Sequence, residues 1–116
     1  MSVKIEKLAE FEKDIKQFGK KYKTLSEDIA IVERVISVEP SAHPPFSFQI
    51  DNLGIETCVI KVRKIASKSF KGRGVMSGFR LIYAHFEAED RVVFIELYHK
   101  NSKSVEDRER IKANFK

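Results

Sequence analysis

GFRLIYAHFEAEDRVVFIELYH (residues 78–99) decides the fold of this chain. Its two halves, Phe79–Phe86 and Arg91–His99, are dense in β-branched and aromatic residues. Only Glu87, Ala88, Glu89 and Asp90 separate them. Two strand-forming runs joined by so short a link predict an antiparallel hairpin.

The next strand upstream is Cys58-Val59-Ile60-Lys61-Val62-Arg63. Side chains alternate across a strand, so Cys58, Ile60 and Val62 share one side. Lys61 and Arg63 leave together on the other. Between this strand and the hairpin lies SKSFKGRGVMSG (67–78), a Gly/Ser/Lys-rich loop. Residues 39–56 contain Pro40, Pro44, Pro45, Asp51, Asn52 and Gly54, which predict a loop.

Toward the N-terminus the period changes. Leu8, Phe11, Ile15, Phe18 and Tyr22 recur at spacings of three and four, one face of an amphipathic helix. Leu25, Ile29, Val32, Val35 and Ile36 predict a second helix that stops before Pro40. Thr24 and Glu27 have the spacing of a capping box at its start. Val3, Ile5 and Lys7 predict a short first strand over 3–8. After the hairpin, Ser104 and Asp107 repeat a capping-box spacing, and Ile111 and Phe115 lie on one stripe of a final helix. The order β, α, α, β, β, β, α predicts an α+β fold: a twisted antiparallel β-sheet with an N-terminal helical hairpin and a C-terminal helix.

The chain has 116 residues, 42% of them hydrophobic and 34% charged, which predicts one folded domain over 1–116. One cysteine, Cys58, excludes an internal disulfide and a Cys-rich zinc site. Its alternation with Ile60 and Val62 predicts a buried, inert thiol. No apolar run approaches the ~18–20 residues of a membrane span. MSVKIEKLAEFEK (1–13) carries acids and does not read as a signal peptide. The expectation is a cytoplasmic protein with no membrane partner.

The net charge of +5 is unevenly spread. Residues 57–86 contain Lys61, Arg63, Lys64, Lys68, Lys71, Arg73 and Arg80 and no acid. Such a window suits a polyanion. A solvated sheet face with long charged side chains accounts for the same pattern. Lys71-Gly72-Arg73-Gly74 lacks the GxxxxGK[ST] pattern of a phosphate-binding loop, so it reads as a basic connection able to touch a nucleic-acid backbone. The last strand ends in Tyr98-His99-Lys100, which combines a stacking ring, a group that titrates near neutral pH and a phosphate-neutralising cation. His43 and His85 have no such neighbours and read as structural. The three histidines have no metal-ligand spacing, and no nucleophile motif surrounds any serine or Cys58.

Taken together, the segments resemble the RelE/ParE superfamily of bacterial type II toxin-antitoxin toxins. FEKDIKQFGKKYKTLSEDIAIV (11–32) is similar to its paired N-terminal helices. VIKVRKIASKSFKGRGVMSGFRLIYAHF (59–86) resembles its central strands, with Gly78-Phe79-Arg80-Leu81-Ile82-Tyr83 as the most specific part. RVVFIELYHKNSKSVEDRERIK (91–112) resembles its last strand and closing helix. In the RelE branch, the resemblance implies a ribosome-dependent endoribonuclease that inhibits translation by cutting mRNA, and a cognate antitoxin partner. A ribose 2′-hydroxyl attacks the adjacent phosphodiester, with no metal and no small-molecule cofactor.

Carried onto this sequence, the resemblance makes Arg80 the phosphate-stabilising arginine and Lys61 a catalytic strand cation. His99 becomes the general acid or base, and Tyr98 the group that stacks on an mRNA base. Arg63, Lys64, Lys71, Arg73 and Lys100 become RNA-binding residues. Val59 stands where RelE has a second strand lysine, and Asn101 stands near the place of a C-terminal arginine. The alternatives are a ParE-like DNA gyrase inhibitor and a non-catalytic RNA-binding relative.

Overall fold

The computed structural model describes residues 3–70 and 77–115. Its elements are β1 (Lys4–Lys7), α1 (Ala9–Gly19), α2 (Leu25–Val38), β2 (Ser47–Gln49), β3 (Cys58–Val62), β4 (Phe79–Phe86), β5 (Arg91–His99) and α3 (Arg108–Phe115). A short 3₁₀ turn, Glu87–Glu89, closes the β4–β5 hairpin, with Asp90 at φ 49°. The five strands form one sheet in the order β1-β5-β4-β3-β2.

Two strand relationships differ from expectation. β2 lies inside the stretch predicted to be loop and pairs antiparallel with β3, Ser47 opposite Val62 and Phe48 opposite Lys61. Three residues are too few to display a period of two in the sequence. β1 pairs parallel to β5, Ile5 opposite Val92, so the sheet is antiparallel except at that edge. Two helices intervene before the chain reaches β5, which permits the parallel return.

Both faces of the sheet are covered. On one, α1 and α2 bury Phe11, Leu25, Ile29, Val32 and Ile36 against Ile60, Leu81, Tyr83 and Phe94. Phe11 meets Phe94 edge-on, with ring centroids 5.2 Å apart. The other face buries Val59, Ile82, Ala84 and Ile95 beneath Ile111 of α3 and Leu53. Covering on both faces explains why β4 and β5 read as almost continuous apolar runs.

The predicted caps resolve differently. Thr24 donates from Oγ1 to Asp28 Oδ2 at 2.8 Å instead of closing a box with Glu27. Asp28 is buried and also accepts Ser67 Oγ–H at 2.6 Å, tying the start of α2 to the loop after β3. At α3 the cap is Asp107, whose Oδ1 accepts the Arg110 N–H at 3.0 Å.

β1 covers β5 only as far as Phe94. Beyond it, side chains satisfy the open edge. Leu97 N–H donates to Asp14 Oδ2 at 3.0 Å, and the Ile95 carbonyl accepts Arg110 Nη1 at 2.8 Å. Arg110 and Asp14 pair with each other at 2.8 Å. This clip joins α1, β5 and α3, and leaves those backbone groups of the edge with partners.

Candidate nucleic-acid interface

The α3 side of the sheet carries the cations. Strand register orders that face in two rows. The first runs Phe48, Lys61, Ile82, Glu96, each opposite the next on the neighbouring strand. In the second, Arg80 stands opposite Tyr98. Arg63 follows Val62, which is opposite Leu81, and so comes level with Arg80. An open cleft of about 600 Å³ lies over both rows, lined also by 49–52 and by Lys103 to Glu106. A smaller cavity of about 220 Å³ adjoins it, lined by Pro45, Phe48, Arg63, Lys64, Gly78, Arg80 and Lys100.

The cleft has acids that the basic window lacks. Lys61 Nζ lies 2.8 Å from Glu106 Oε1, and Arg108 Nε lies 3.1 Å from Oε2. Burial works against the charged Glu106, yet the Lys61 ammonium, a backbone N–H and Arg108 outweigh it and hold the carboxyl below its ordinary value. Lys103 pairs with the buried Glu96. The window 57–86 itself holds no acid, and the partner of Lys61 comes from outside it. That partner is remote in sequence, so a count within the window cannot find it.

The remaining cations are different. Among the described residues, Arg63, Lys64, Arg80 and Lys100 have no carboxylate partner, and all four line the smaller cavity. Arg80 donates from Nη1 to the carbonyls of Arg63 and Phe79, at 3.1 and 3.2 Å. Those bonds orient the guanidinium and leave Nε and Nη2 without a described partner. Burial and the adjacent Arg63 push Arg80 below its ordinary pKa, with Tyr98 acting the other way. A guanidinium pair of this kind gains from an anion between its members.

Tyr98 reaches the cleft but is only 4% exposed, and Lys103 Nζ sits 5.2 Å from its ring centroid. The ring expected to stack on a base is thus largely covered. His99 is not brought to the cleft. As the next residue of β5 it points to the helix side, where it stacks on Tyr22 and Phe70 and meets Phe79 edge-on. Its Nε2 lies 2.8 Å from the Ser77 carbonyl, and Nδ1 accepts the Asn101 N–H at 3.1 Å. Together those bonds set Nε2 as the protonated nitrogen and occupy both ring nitrogens. The expectation that His99 stands beside the phosphate cations is corrected by the two-residue period of the strand. Gly78, at φ +94°, packs so closely that an added Cβ would come within 2.8 Å of His99 Nε2.

Lys61, Arg63, Lys64, Arg80, Tyr98 and Lys100 are thus gathered at one continuous surface. Lys71 and Arg73 lie outside the described residues. Phe48 and Glu106 belong to the site and escaped sequence reading. Phe48 stands in a three-residue strand, and Glu106 sits in a mixed-charge stretch before α3. Among the described residues, no group of three or more His, Cys, Asp or Glu side chains could hold a metal ion. Among the described residues, no helix is long and apolar enough to cross a membrane.

The sequence matches no family model and no curated protein. Among solved structures the chain is similar to a mutant of the E. coli toxin RelE in the free state. The match covers 89% of this chain and 88% of that one, with a TM-score of 0.55 and 14% identity. With its paired N-terminal helices, five-stranded sheet and closing helix, and with this structural match, the chain has a RelE-like α+β fold.

Proposed function

We propose that this chain is the toxin of a type II toxin-antitoxin system, acting as a ribosome-dependent mRNA endoribonuclease. One observation carries the reading: the four cations without carboxylate partners, Arg63, Lys64, Arg80 and Lys100, line one cavity. A cavity of that kind suits a phosphodiester, because guanidinium groups bind phosphate in a bidentate fashion. The RelE-like fold supports the choice of RNA. A cognate antitoxin is the partner expected of such a toxin, and no cofactor enters the scheme.

In this scheme the 2′-oxygen bonds to phosphorus, the P–O5′ bond breaks, and a 2′,3′-cyclic phosphate and a 5′-hydroxyl result. Arg80 and Arg63 hold the non-bridging oxygens and stabilise the added charge in the transition state. Lys61, whose ammonium is held 2.8 Å from Glu106 in the cleft, is the group placed to give a proton to the departing 5′-oxygen. The 2′-hydroxyl proton passes to solvent water, from which Lys61 regains the proton it gives up, and Tyr98 lines the floor of the cleft. His99 has no part, since its nitrogens are committed on the other face.

The test is cleavage of ribosome-bound mRNA by purified wild-type chain and Arg80→Ala. Loss of one such charge from the transition state is expected to slow cleavage by about 10²–10³. Equal cleavage by both proteins, or none by the wild type, would overturn the reading.

A further inference from the structure

We propose that Phe48 is a stacking platform for a nucleobase, that of the nucleotide whose phosphate lies at Arg63 and Arg80. This rests on the RNA reading above and adds a base-binding subsite to it. Most large aromatic side chains of the chain are buried or packed against the core, but Phe48 is 38% exposed. It is one of the lining residues shared by the two adjoining cavities, together with Arg63, Arg80 and Lys100. The register of β2 and β3 puts it directly opposite Lys61, on the same face of the sheet.

The ring is also held in place. The Arg63 guanidinium carbon lies 5.9 Å from its centroid, within the range of a cation–π contact. Leaving a phenylalanine this exposed forgoes burial of apolar area, and stacking on a base recovers it. Tyr98, the other aromatic ring of the cleft, is covered by its surroundings and by Lys103. Phe48 therefore offers the accessible π-face beside the unpaired cations. Any base has such a face, so this subsite tolerates sequence variation.

The chain contains no tryptophan, so Phe48→Trp places a single indole reporter at the subsite. The probes are a short single-stranded oligoribonucleotide and an abasic ribose-phosphate oligomer of equal length. Both are expected to bind the Phe48→Trp protein, and only the RNA with bases is expected to quench its fluorescence. Phe48→Leu is expected to weaken RNA roughly 5- to 150-fold while leaving the abasic oligomer within about twofold. Circular dichroism of each variant confirms that it folds. Suppose Phe48→Leu weakens neither oligomer, or both equally, while Arg80→Ala weakens both. Base stacking is then wrong and the phosphate reading stands. If Arg80→Ala changes neither affinity, or the wild type binds neither oligomer, the RNA reading falls and this subsite with it.

Discussion

Tyr98 and His99 are consecutive, yet they stand on opposite faces of the sheet. Tyr98 lines the cationic cleft, and His99 is buried beside Tyr22 and Phe70 with Nε2 2.8 Å from the Ser77 carbonyl. The pair places one side chain at the cleft and the other in the core. His99→Ala removes two hydrogen bonds and a stacked ring, so it is expected to destabilise the fold by about 1–3 kcal/mol in urea denaturation. Cleavage of ribosome-bound mRNA per folded molecule is expected to stay at the wild-type level. A stable His99→Ala protein with little cleavage would return His99 to the chemistry.

Much of this was legible in the sequence, for identifiable reasons. The α1 stripe from Leu8 to Tyr22 and the β4–β5 hairpin announce themselves because long amphipathic or apolar runs average over many residues. Alternation placed Lys61 and Arg63 on one face. The same rule, applied one residue further along β5, puts Tyr98 and His99 apart. Taking Tyr98-His99-Lys100 as a unit by proximity in the chain ignored that rule. Phe48 and Glu106 were beyond reach for another cause. Their roles come from long-range register and from an ion pair across the cleft, and neither leaves a local pattern.

Glu106 makes the stability of the chain depend on acid pH. Its carboxyl titrates lower when folded than the ordinary value of 4.5, so the unfolded chain binds its proton more readily. Its contribution is complete above about pH 4.5 and is lost as the pH falls through the lower folded value. Glu106→Gln is expected to cost about 1.5–3 kcal/mol at pH 7, the range for a hydrogen bond to a charged group. Urea midpoints of wild type and variant are expected to converge as the pH drops below that window. A difference that stays constant down to pH 2 would separate Glu106 from the effect.

The Asp14–Arg110 clip is expected to govern local opening of the β5 edge. Burial works against the Arg110 charge, but Asp14, with Glu96 and Asp107 behind it, outweighs burial and raises its pKa. Asp14→Ala strips the acceptor from Leu97 N–H and leaves Arg110 with the Ile95 carbonyl and a longer, 3.9 Å contact to Asp107 Oδ2. The expected cost is about 1–3 kcal/mol, with faster hydrogen exchange at the Leu97 amide. Asp14→Asn keeps an acceptor and is expected to lose less. Unchanged exchange at Leu97 in Asp14→Ala would show that the edge is held by other contacts.

Salt dependence gives an independent count of the cations that meet a backbone. Among the described residues, four without carboxylate partners line one cavity, Arg63, Lys64, Arg80 and Lys100, whereas Lys61 is held by Glu106. A single strand releases roughly 0.7 counterion for each phosphate neutralised, so log affinity against log salt is expected to fall with a slope of about −3. Arg80→Ala removes one contact and is expected to flatten the slope by about 0.7. Glu106→Gln acts in the opposite direction, because it frees Lys61 for a fifth contact and steepens the slope by about the same amount. The two variants thus shift one measured quantity with opposite signs. Destabilisation alone would weaken binding in both without steepening either slope. A wild-type slope near zero would mean that the cavity does not bind a nucleic-acid backbone.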